Sequence, residues 1–129
     1  MKEVIQMGMV VRCDGYENYM CWTCGGFNHL RERLAFLIGL TFRDMKGCGG
    51  DTEWPFDPII PLLKSRDCDT SLSPTECALV VPRLRELMDE MEFGDCPGYN
   101  PNNDDIGRGR HLCHMMAYSV KNNLPLRLE

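Results

Sequence analysis

Two stretches of this chain carry residue types that bind metals, each at a spacing with chemical meaning. From Ser65 to Glu76 oxygen donors recur at every second residue. Laid on the EF-hand calcium loop with Leu72 at its branched apolar position, the stretch offers Ser65, Asp67, Asp69, the Ser71 carbonyl, Ser73 and Glu76 as ligands. Calcium is a hard cation, and oxygens alternating along a turning loop converge on it. Two departures lower the expected affinity. Ser65 stands where an aspartate is usual, and Thr70 stands where the turn asks for glycine. A polar turn between helices accounts for the same residues without a metal, since Ser73 and Glu76 also read as a capping box.

The second stretch is Cys21-Trp22-Thr23-Cys24-Gly25-Gly26-Phe27-Asn28-His29. Cys21, Cys24 and His29 match the first three ligands of a zinc knuckle, two thiolates and an imidazole at three corners of a tetrahedron. The fourth place is Leu34, which cannot ligate, so Cys13 or Cys48 would have to complete the site. The competing reading is a glycine-rich turn with two thiols and a histidine at a helix start. A Cys-x-x-Cys redox motif needs a βαβ setting that the pattern does not supply. The remaining chemistry is sparse. His111 and His114 sit three apart on a helix, and Gly47-Cys48-Gly49-Gly50 lacks the Gly-Lys-Ser/Thr of a phosphate loop.

These stretches need elements to position them. Val4–Cys13 reads as a strand. A helix is expected from His29 to Leu40, capped by Asn28, with Leu30, Leu34, Leu37 and Ile38 on one face. Lys46 to Pro58 is a loop, with Trp54 and Phe56 folding back on the core, and a short helix follows over 57–64 behind Asp57 and Pro58. Ser73-Pro74-Thr75-Glu76 opens the best-defined helix, whose stripe is Cys77, Val80, Val81, Leu84, Leu87, Met88 and Met91. A last helix spans 104–122, with Ile106, Cys113, Met116, Ala117 and Val120 on its apolar face. Leu124–Leu128 ends the chain as an edge strand beside the first.

The run Trp54-Pro55-Phe56-Asp57, then Asp67-Cys68-Asp69, Leu72-Ser73-Pro74-Thr75-Glu76-Cys77 and Pro82-Arg83-Leu84-Arg85-Glu86-Leu87 resembles small uncharacterised proteins of bacteria and their phages. Those carry an Asp-Cys-Asp-Gly-x-Ile/Leu-x-Pro-x-Glu-Cys element. The resemblance covers about two thirds of the chain in outline, and Thr70 departs from its glycine. It implies a shared fold, no assigned activity, and a metal-competent loop that has decayed here.

The 129 residues make one domain, 1–129, of α+β class with helix dominant: three to four helices and a small sheet from the N- and C-terminal strands. Fourteen basic and nineteen acidic residues give a net charge of −5, which argues against a nucleic-acid binder. Residues 1–46 carry six basic and five acidic side chains, so the acidic excess lies downstream, at Glu86, Asp89, Glu90, Glu92 and Asp95. The opening residues read as no signal peptide and no stretch reads as a membrane span, so a cytoplasmic protein with reduced thiols is expected. The expected function is a non-enzymatic protein-interaction module with a degenerate EF-hand-like loop. Its partner would dock at the Trp22/Phe27 region or the acidic helix end, and the methionine-rich stripe would serve as core or as a homo-oligomer interface. The alternative is a metal-binding regulatory module holding zinc or calcium. An enzyme built on Cys48 and His111 ranks last.

Overall fold

A computed structural model describes residues 8–65, 70–94 and 103–129, with side chains from Asp105 onward in the last stretch. One four-stranded antiparallel sheet lies against helices. The strands are β1 (Gly8–Arg12), β2 (Met20–Thr23), β3 (Thr70–Leu72) and β4 (Leu126–Leu128), in the order β2-β1-β4-β3. The helices are α1 (Cys24–Leu37), α2 (Ile60–Leu63), α3 (Pro74–Phe93) and α4 (Asn103–Asn122), with a short 3-10 helix at Phe42–Asp44. The architecture is the expected one, α+β with helix dominant and a small sheet that joins the two ends of the chain.

Alternation sets the faces of the sheet. Met9 pairs with Trp22, Val11 with both Met20 and Leu128, and Leu72 with Leu126. All seven side chains are buried against the helices, while Arg12, Cys21, Ser71 and Arg127 lie on the other face. β4 lies inside the sheet between β1 and β3, not at its edge. Pro125, which cannot donate to a ladder, stops just before it.

α1 begins five residues earlier than the sequence predicts. Its cap is Thr23, whose Oγ accepts the Gly26 N–H at 2.9 Å, not Asn28. Gly25 and Gly26 are therefore helical. Gly26 is there for space, since a Cβ would come within 2.7 Å of Trp22 Nε1. Gly39, at φ +84°, ends the helix: it donates to Phe36 O and Leu40 donates to Ala35 O, a Schellman closure. α2 is shorter than predicted, although Asp57 Oδ1 does accept the Ile59 N–H at 3.0 Å.

α3 follows its sequence closely. The Ser73–Glu76 capping box is complete and the seven-residue stripe is buried. The stripe packs on α4, which turns a slightly different face inward than expected: Leu112, Cys113, Met115, Met116 and Ser119 are buried, whereas Val120 is 40% exposed. Ser119 is tolerated in the core because its hydroxyl donates to Leu124 O. Phe56, expected to fold back, is 95% exposed, while Trp54 packs on the core edge-on to Phe42.

Candidate functional site

The structure treats the two metal stretches differently. Thr70, expected at a strained glycine position, is extended in β3, where a β-branched residue is favoured. Ser65, Ser71 and Glu76 line a common cleft of about 300 Å³ with Ile60 and Lys64. Their oxygens have local duties too. Ser65 Oγ donates to Pro61 O at 2.8 Å, Glu76 Oε1 accepts the Ser73 N–H at 2.9 Å, and Ser73 Oγ accepts the Glu76 N–H at 3.1 Å. Asp67 and Asp69 lie outside the described residues.

Cys21, Cys24 and His29 do not share one direction. Cys21 is exposed on the outer face of β2, and Cys24 is buried as the first residue of α1. His29 instead meets Asp105 from the first turn of α4, with Nδ1 2.8 Å from Oδ2 and the Asp105 side chain only 4% exposed. Trp22 and Phe27 are core residues packed edge to face at 5.4 Å, and Trp22 also lines a surface cleft with Met9, Cys21 and Arg108. Among the described residues no group of three or more His, Cys, Asp or Glu stands close enough to hold a metal. His111 Nε2 is 2.7 Å from Asn18 O and its ring lies beside Tyr16, apart from the surroundings of Cys48. The acidic end of α3 is partly neutralised within the fold: Arg110 reaches Asp89 at 2.8 Å and Glu92 at 2.7 Å, and Arg83 bridges Glu86 to Asp57.

A further surface is one that the sequence does not single out. The outer side of α1 and the following 3-10 helix frame an open groove of about 230 Å³. Phe36, Leu40 and Phe42 form its apolar lining, with Glu32, Arg33 and Arg43 on its rim. Phe36 is 55% exposed. It follows the buried pair Leu34–Ala35 and breaks the polar side of an otherwise amphipathic helix, which is the signal that could have found it.

Beside the groove, sharing Glu32, Phe42 and Arg43 with it, lies a polar cleft of about 370 Å³. Arg31 lies within it, 8% exposed. The Arg31 guanidinium donates to the Leu63 and Ser65 carbonyls and to Asn28 Oδ1, and it lies over the rings of Phe27 and Phe42 at 4.6 and 5.0 Å. It thus closes the C-terminal carbonyls of α2 from α1. Cys48 lines the same cleft; burial pushes its thiol pKa up, and the nearby Arg31 charge pulls it partly back.

No helix of the described residues is long and apolar enough to cross a membrane. No protein-family model matches the chain, and no curated protein or solved structure matches it.

Proposed function

We propose that this chain is a non-catalytic module that binds a partner protein in the cytoplasm through the groove beside α1. The observation that carries this reading is Phe36, an aromatic side chain left 55% exposed along an apolar groove with arginines on its rim. Aromatic residues and arginine are the types that dominate binding energy at protein interfaces. The occupant is a short partner segment that places an apolar side chain between Phe36, Leu40 and Phe42 and an acidic one against Arg33 and Arg43. Free thiols at Cys13, Cys21, Cys48, Cys77 and Cys113 are in keeping with a reducing compartment.

Selection from a displayed random-peptide library tests the docking reading. Enriched peptides should pair an apolar residue with Asp or Glu. They should bind Phe36→Ser and Arg43→Glu at least about tenfold more weakly than wild type, a loss of about 1.4 kcal/mol, with unchanged melting temperatures. Equal binding to both variants would overturn it. So would a dimer in sedimentation that Phe36→Ser dissolves, because the occupant would then be a second copy.

One observation favours a second reading, calcium regulation. The cleft already gathers Ser65, Ser71 and Glu76, and a calcium ion would complete its shell from Asp67, Asp69 and Ser73. Calcium that binds only the folded chain must raise its melting temperature over that in chelator. An unchanged melt removes this reading. Zinc at Cys21, Cys24 and His29 requires a stoichiometric amount of the metal in purified protein.

A further inference from the structure

We infer that the partner segment in the groove beside α1 has mixed charge: it brings a basic residue to Glu32 as well as an acidic one to Arg43, a pattern that rests on the docking reading above. Glu32 and Phe36 stand one turn apart on α1, so the carboxylate rises from the same helix face as the exposed ring. Arg43 reaches it from the 3-10 helix, with its Nε 3.9 Å from Glu32 Oε2. Among the described residues each is the other's ion-pair partner. Both line the groove with Phe36, Leu40 and Phe42. The Glu32 side chain is 38% exposed and that of Arg43 84%. The carboxylate is thus the more enclosed member, set against the groove, while the guanidinium stands in water.

An occupant changes the surroundings of both charges. An apolar side chain packed on Phe36 takes water from Glu32 first, because that group starts with less of it. The contact with Arg43 is a poor replacement, since a strong charge-assisted hydrogen bond spans about 2.7–2.9 Å. A partner carboxylate on Arg43 makes this worse. It draws on the same guanidinium and sets two like charges side by side. An acidic anchor alone therefore leaves Glu32 desolvated and repelled. An anchor with an acid and a base instead closes an alternating cluster: partner acid, Arg43, Glu32, partner base. The two partner residues then lie on one face of their strand or helix. Glu32 is the group that rejects purely acidic segments.

Random-peptide selection on the full-length protein, with Phe36→Ser as the counter-selection, supplies the probes. Peptides that need Phe36 should carry Lys or Arg within about four residues of Asp or Glu, on the same face. They should bind Glu32→Gln at least about threefold more weakly than wild type, and the difference should shrink at about 0.5 M salt. Replacing the peptide's base with Ala should cost a similar factor on wild type and little on Glu32→Gln. Glu32→Lys should prefer a peptide whose base is changed to Glu over the parent peptide. Phe36-dependent peptides that lack the base, or that bind wild type and Glu32→Gln equally, overturn the mixed-charge pattern and leave docking intact. Peptides indifferent to Phe36 overturn the docking reading and the charge pattern with it.

Discussion

At the scale of single residues, burial decides how the thiols behave. Cys113 sits between α3 and α4 with its pKa pushed up to about 11 by desolvation, an effect that Arg85 and Arg110 only partly offset. Cys13 and Cys77 are shifted in the same direction, again chiefly by burial. A folded-state pKa above the unfolded one makes folding the proton-retaining state, so the stability present below pH 9 is lost as pH rises toward 11. Thermal melts across that range should fall, and Cys113→Ala should flatten the fall when each variant is compared with its own value at pH 8. Alkylation at pH 8 should reach the exposed Cys21 before the buried Cys13 and Cys77, and Cys113 only on unfolding. The capping box is a second residue-scale device. Ser73→Ala leaves the Glu76 N–H without its acceptor and should cost about 1 kcal/mol in urea unfolding.

At the scale of elements, two contacts hold the helices in place. α3 and α4 pack tightly where Gly109 meets the Met88 side chain; a Cβ there would lie 2.4 Å from the Met88 sulfur. Gly109→Ala should therefore destabilise by about 1–3 kcal/mol, and adding Met88→Ala should recover part of that loss, so the double-mutant cycle is non-additive. Arg31→Ala removes the donor that closes α2 and should cost about 2–3 kcal/mol by chemical denaturation. What could be read from the sequence follows local signals. α3 is legible because Ser73, Pro74 and Glu76 mark its start and seven apolar residues keep its period. The start of α1 is not, because Gly25 and Gly26 read as a break when they serve close packing on Trp22. β2 and β3 span four and three residues, too short for alternation to register. Ser65, Ser71 and Glu76 of the 65–76 pattern line one cleft, while the groove beside α1 is signalled in the sequence only by Phe36 on the polar side of that helix.

At the scale of the whole molecule, the sheet unites distant parts of the chain. β4 gives Val11 and Arg12 their partners on one side and Thr70 to Leu72 theirs on the other. Val10 and Glu129 exchange a pair of backbone hydrogen bonds at 2.7 and 2.9 Å. Deleting residues 126–129 should thus separate β3 from β1 and strip Leu126 and Leu128 from the core. The truncated chain should lose its cooperative thermal transition in far-ultraviolet circular dichroism. An intact transition would show that the helices alone carry the fold.

The inner place of β4 also sets an order on biosynthesis. A ribosome makes β1, β2 and three of the four helices long before Leu126 leaves the exit tunnel. Until then the side of β1 that will receive β4 stays an open strand edge on the nascent chain, a template for mispairing with neighbours on the same message. Translation slowed near residue 124 would prolong that interval, and a chaperone that covers extended strands would find its binding site there.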